Sequence, residues 1–70
     1  MKNQPLVSVL MPSYNSEKFI GIAIQSVLNS TYTNFELIVT DDNSTDNTYY
    51  IAKSFEEKDK RVKVYLNDKN

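Results

Sequence analysis

The stretch Phe35-Glu36-Leu37-Ile38-Val39-Thr40-Asp41-Asp42-Asn43-Ser44-Thr45-Asp46-Asn47-Thr48 decides the fold, because an apolar run stops in it at two adjacent aspartates followed by small polar residues. Leu37, Ile38 and Val39 are apolar and largely β-branched, the composition of a strand covered on both faces. Asp41 and Asp42 then emerge at its carboxyl end, which in an open α/β sheet is the end where ligands bind. The residues from Asn43 to Thr48 offer side-chain oxygens that can accept the unpaired N–H groups of a helix's first turn. The stretch therefore reads as strand, acidic tip and helix start.

Toward the amino terminus, Leu6 to Met11 is a second apolar run closed by Pro12, which has no N–H to give to a sheet ladder. Ser13-Tyr14-Asn15-Ser16 is a polar turn, with Asn15 or Ser16 as the cap of a helix that follows directly. Glu17 falls in its first turn, where negative charge suits the helix dipole. Ile20, Ala23, Ile24, Val27 and Leu28 recur at helical spacing, and Asn29-Ser30-Thr31 ends that helix. Toward the carboxyl terminus, Thr48, Ile51, Ala52 and Phe55 share one face of a second helix from about Asp46 to Glu57, with Lys53, Glu56, Glu57 and Lys58 mostly away from it. Asp59-Lys60-Arg61 makes a charged turn. Val62 to Leu66 then begins with alternation of apolar and polar residues and reads as a third strand nearer the sheet edge.

The order is β-α-β-α-β, which implies an α/β fold with three parallel strands joined by right-handed crossovers, a Rossmann-like half-domain spanning residues 1–70. Three strands leave edges and a face to be covered. The chain is thus expected to be a fragment of a larger domain, or a homo-oligomer that borrows its cover through the open sheet edge.

Composition removes several classes of function. There is no cysteine and no histidine, which excludes a disulfide framework, a thiolate nucleophile and the common zinc ligands. A net charge of −1 without a basic stripe argues against nucleic acid as a partner. No apolar run approaches the roughly 18 residues of a membrane span, nor is there a secretion signal, so a cytoplasmic location is expected, with membrane association left open for the complete protein. Gly21 is the only glycine, so no glycine-rich phosphate cradle can form. Gly21 itself reads as a close-packing position. The tyrosines Tyr32, Tyr49, Tyr50 and Tyr65 read as packing residues.

Three polar groups should meet at the carboxyl end of the sheet: Pro12-Ser13-Tyr14-Asn15, Asp41-Asp42 and Asn67-Asp68. The phenol ring of Tyr14 can stack on a heterocyclic base, and a carboxylate on the next strand can accept a ring N–H of the kind uracil and guanine carry. The competing readings are a tyrosine lid over the core edge and a solvated acidic turn.

Val7-Ser8-Val9-Leu10-Met11-Pro12-Ser13-Tyr14-Asn15, the helix ending at Ser26-Val27-Leu28, and the stretch from Phe35 to Thr48 together resemble the amino-terminal part of family 2 glycosyltransferases. The resemblance covers nearly all 70 residues. It implies a GT-A fold and transfer of a sugar from a nucleotide-diphosphate donor, most often a UDP-sugar, to an acceptor hydroxyl with inversion. It also implies that Pro12 and Tyr14 flank the base, that Asp42 hydrogen-bonds uracil and that Asp41 is its structural neighbour, with Glu17 near the same wall. The family's downstream D-x-D motif, which places a carboxylate on a divalent metal, and its later catalytic base have no counterpart in these residues. Mg²⁺ or Mn²⁺ is therefore expected for the complete enzyme, and the chain alone is expected to be inactive.

Asp41 and Asp42 are weak as a joint metal clamp, because adjacent residues on a strand point to opposite faces. An EF-hand from Asp41 or Asp42 fails for want of its glycine and of an acid at position 12. A phospho-receiver domain would want its acidic pair after the first strand. The alternative that stands is a non-catalytic nucleotide-binding or self-associating module.

Overall fold

A computed structural model describes residues 5–68 and contains β1 (Val7–Ser13), α1 (Ile20–Leu28), β2 (Phe35–Asp41), α2 (Thr48–Lys58) and β3 (Val62–Leu66). The strands form one parallel sheet in the order β1-β2-β3, as the β-α-β-α-β pattern predicts. Val9 and Val62 flank Leu37, and Ser13 and Leu66 flank Asp41.

With strands laid down in sequence order, two crossovers of one hand carry both helices to the same face of the sheet. Burial follows that geometry. Phe35, Leu37, Val39 and Asp41 of β2 are buried, whereas Glu36 and Ile38 are half-buried and Thr40 is exposed. The core is Ile20 and Ile24 of α1, Ala52 of α2, Phe35, Leu37 and Val39 of β2, and Val62 and Val64 of β3. The expectation of a β2 covered on both faces is therefore corrected: among the described residues one face is covered. The other carries Leu10, 70% exposed, beside Glu36, Ile38, Lys63 and Tyr65. An apolar Ile38 between Leu37 and Val39 hid the alternation.

β1 runs two residues beyond its expected end and includes Pro12. Val7 donates its N–H to Asn34 and Ser13 accepts from Asp42, so the odd-numbered residues of β1 bond to β2 and the even-numbered ones face outward. Pro12 thus lacks an N–H only where no neighbouring strand would use it. On β3 the bonds Leu37 N–H to Arg61 and Asn67 N–H to Asp41 give the complementary parity, so Val62 and Val64 point their N–H groups at the outer edge. Both are taken within the chain, Val62 by the Asp59 carbonyl and Val64 by Glu56 Oε2 at 2.8 Å. The outer edge of β3 is thereby blunted against pairing with another strand.

Glu56 was expected away from the packed face, and that is corrected as well. It is half-buried against β3, and hydrogen bonds from Lys53 and from the Val64 amide hold its carboxyl below the ordinary carboxylate range. In the charged turn, the Arg61 guanidinium lies 4.7 Å from the centre of the Phe35 ring and donates Nε and NH2 to Asp59. Tyr32 and Tyr49 pack against the core, whereas Tyr50 and Tyr65 are exposed, so the packing role expected for all four holds for two.

α1 begins at Ile20, four residues later than a cap at Asn15 followed directly by helix would give and three later than a cap at Ser16 would. Neither side chain caps it: Ser16 Oγ donates back to the Tyr14 carbonyl, and Asn15 Oδ1 accepts from Thr45. The Ser16 carbonyl accepts from both Phe19 and Ile20, a tightened turn that leads into the helix. α2 is displaced from its expected bounds by one or two residues.

The close-packing role of Gly21 is not supported. A β-carbon there would meet Ile51 and Phe55 of α2 at 3.8 Å, ordinary van der Waals contact, and its φ is not positive. Gly21→Ala is expected to raise stability by about 0.5–1 kcal/mol, since glycine in a helix interior costs that much relative to alanine. A higher urea midpoint with an unchanged slope is the sign to look for; a lower midpoint would mean α1 and α2 cannot accept the methyl group.

Candidate functional site

The carboxyl ends of the three strands are joined by main-chain bonds. Asp42 N–H donates to the Ser13 carbonyl at 2.9 Å, and Asn67 N–H donates to the Asp41 carbonyl at 2.7 Å. Tyr14 and Asp42 therefore each stand one residue beyond the paired Ser13 and Asp41. The three groups expected at this end are all there, and they separate into a buried support and an exposed rim.

Asp41 is the support. Its side chain is fully buried; Oδ2 accepts the Ser44 N–H at 2.9 Å, and Oδ1 accepts the Ser44 hydroxyl at 2.6 Å and the Ser13 hydroxyl at 3.3 Å. A buried carboxylate is tolerated only when donors replace its water, and these three do. The loop can bend back onto Asp41 because Asn43 sits at φ 58°, in the left-handed region that asparagine tolerates better than most residues.

The first turn is laced to the second in the same manner. Asn15, at φ 48°, donates its N–H to Ser44 Oγ at 2.8 Å and accepts the Thr45 N–H on Oδ1 at 2.8 Å. Ser16 N–H donates to Thr48 Oγ1 at 2.7 Å, and Thr48 in turn donates its hydroxyl to Asp46. Glu17 is bonded across the gap to Asp46 and Asn47: Glu17 N–H donates to Asp46 Oδ2 at 3.2 Å, and Asn47 N–H donates to Glu17 Oε1 at 3.0 Å. Desolvation alone would raise the Asp46 carboxyl, but hydrogen bonds from the Thr48 hydroxyl, the Thr48 amide and the Glu17 amide outweigh it and hold the pKa below the ordinary value.

The rim is Pro12, Tyr14 and Asp42. Pro12 lies on the outward parity of β1 and is exposed, Tyr14 is 55% exposed, and Asp42 is exposed with Oδ1 accepting from Asn67 Nδ2 at 3.2 Å. Glu17 does not join them. It lines an open groove of about 620 Å³ between the starts of the two helices, with Lys18, Asn47, Tyr50, Ile51 and Ser54, and a smaller hollow with Asn15, Phe19 and Asp46. Neither is lined by Pro12, Tyr14 or Asp42.

Sequence reasoning places Ser13 and Asn15 in the polar group at this end but gives neither them nor Ser44 a part in the support. The one signal for them was the density of Asn, Ser, Thr and Asp after both strands, which was read as local helix capping. A divalent cation fits these residues poorly: both oxygens of Asp41 are engaged by Ser13 and Ser44, and one of Asp42 by Asn67. Among the described residues no three carboxylates come together as a metal site.

A family model described as "Glycosyl transferase family 2" matches residues 8–70. The chain is 51% identical over 63 residues to the UDP-Glc:alpha-D-GlcNAc-diphosphoundecaprenol beta-1,3-glucosyltransferase WfgD of Escherichia coli, covering 90% of this chain and 24% of that protein. It is 46% identical over 68 residues to an uncharacterized glycosyltransferase of Haemophilus influenzae, covering 97% of this chain and 27% of that one. A third relative, the GalNAc(5)-diNAcBac-PP-undecaprenol beta-1,3-glucosyltransferase of Campylobacter jejuni, is 36% identical over 63 residues, covering 90% of this chain and 20% of that one. The chain thus spans about a quarter of the length of the curated relatives it matches. With a three-stranded parallel α/β half-domain and a match over all but the first seven residues, the chain belongs to glycosyl transferase family 2.

Proposed function

We propose that the chain is the donor-nucleotide binding part of an inverting glycosyltransferase that uses a UDP-sugar. The observation that carries this reading is the placement of an exposed aromatic ring and an exposed carboxylate each one step beyond a paired strand end, at strand ends joined by main-chain bonds. Tyr14 stacks on the base, Pro12 walls its edge, and Asp42 accepts the ring N–H of uracil. Adenine has no ring N–H on its pairing edge, so Asp42 would repel it. The UDP-Glc in the printed name of the Escherichia coli relative supports uridine as the base.

The sugar-transfer step belongs to residues other than these. The sequence holds no D-x-D, and its two adjacent aspartates do not fit a cation. When bound in the complete enzyme, Mg²⁺ or Mn²⁺ would offset the charge of the departing diphosphate. Within this chain the work is to select and orient the nucleotide. Glu17 acts from behind, by tying the first turn to the start of α2.

The test is a titration of the isotope-labelled 70-residue chain with UDP, GDP and ADP, followed residue by residue by NMR and repeated with Asp42→Ala and Tyr14→Ala. UDP is expected to shift Tyr14 and Asp42 more than ADP does. Each variant should weaken UDP by about tenfold or more, the usual size of a charge-assisted hydrogen bond or a base–aromatic stack. A folded chain that responds equally to all three nucleotides, or to none, would sink the reading.

A further inference from the structure

We infer that Asn67 is a positioning residue that sets Asp42 for base recognition, an inference that rests on the nucleotide-binding reading above. Asn67 follows β3 directly, and its own N–H donates to the Asp41 carbonyl at 2.7 Å, extending the β2–β3 ladder one step beyond Leu66. Its backbone is therefore placed by the sheet. From there Nδ2 reaches Asp42 Oδ1 at 3.2 Å. A carboxylate can only accept, so the amide nitrogen and not the amide oxygen must face it.

The consequence for Asp42 is an asymmetric carboxylate. Its N–H is held from the β1 side by the Ser13 carbonyl, and Oδ1 is held from the β3 side by Asn67. Oδ2 is left to accept a ring N–H from a base lying between Tyr14 and the strand ends. An exposed carboxylate with no such partner would rotate and would have to be ordered on binding. Asn67 does that ordering in advance, and it does so without touching the base.

A purely structural Asn67 would change stability and weaken all ligands alike. A positioning Asn67 changes the discrimination between a base that offers the ring N–H and one that does not. The experiment compares UDP with N3-methyl-UDP, whose ring N–H is blocked, in the unaltered chain, in Asn67→Ala and in the isosteric Asn67→Asp, with a thermal melt of each. The unaltered chain is expected to prefer UDP by about tenfold or more, the size of a hydrogen bond to a charged group. Asn67→Ala and Asn67→Asp are expected to shrink that preference to within about threefold, with N3-methyl-UDP binding nearly unchanged in Asn67→Ala and the melting temperature held in at least one variant. Asn67→Gln, which keeps a donor, should recover part of the preference.

A full preference retained in Asn67→Ala overturns the positioning role while leaving Asp42 as the base acceptor. Equal weakening of both nucleotides, or unfolding of both variants, overturns it in favour of a structural role. No preference in the unaltered chain removes the base-binding reading and the role of Asn67 with it.

Discussion

Asp41→Ala is expected to abolish the cooperative unfolding transition, so that the variant shows no thermal melt by circular dichroism at room temperature and above. The substitution removes the acceptor of three bonds and leaves the Ser44 N–H and the Ser44 hydroxyl without it in a part-buried setting, while the Ser13 hydroxyl keeps the Thr40 carbonyl at 3.4 Å. Each stranded donor costs about 1–3 kcal/mol. A 70-residue chain has only about 3–5 kcal/mol to lose. Asp42→Ala, one residue on, removes an exposed side chain and should melt within about 0.5 kcal/mol of the unaltered chain. Adjacent aspartates would thus differ in kind, one required for folding and one for binding. Equal melting of the two variants would show that Asp41 does not organise the strand ends.

Leu37→Ala is expected to cost about 2–5 kcal/mol, the range for truncating a buried leucine and leaving a cavity. Leu37 is fully buried at the centre of β2, between Val9 and Val62, where neighbours on both sides are fixed by the ladder and cannot collapse inward. Leu10→Ala is the matched control on the opposite face of the sheet. Leu10 is 70% exposed, so its truncation should cost less than about 0.5 kcal/mol. Urea unfolding of both variants measures the contrast directly. Similar losses for the two would mean that the outer face is covered in solution.

Order and type of the elements were legible because they rest on local periodicity. The 3.6-residue recurrence of Ile20, Ala23, Ile24, Val27 and Leu28 and the short β-branched runs each name their own element without help from elsewhere. What could not be read is what depends on a partner far along the chain. Asn15 looks like a helix cap because a local rule assigns it one, yet its amide oxygen is taken by Thr45. Glu56 looks like a solvated charge, yet it accepts the outer-edge N–H of Val64, eight residues later. One-sided burial was hidden for the opposite reason: Ile38 satisfies the composition of a two-faced strand while its pleat position places it on the open side.

The same long reach has a consequence in time. Most of the bonds that shape the mouth of the sheet join Ser13, Asn15, Ser16 or Glu17 to residues 41–48, and Asn67 closes it. Bringing together points about 30 residues apart costs roughly 3 kcal/mol of chain entropy before any contact repays it. Pro12 and Tyr14 leave a ribosome before the residues that hold them, and their turn has no anchor until Thr48 has followed. The rim does not acquire its full set of neighbours until Asn67 is made. In a growing polypeptide, competence to hold a nucleotide would therefore be switched on by length, once Asn67 has joined the turns already anchored at Thr48.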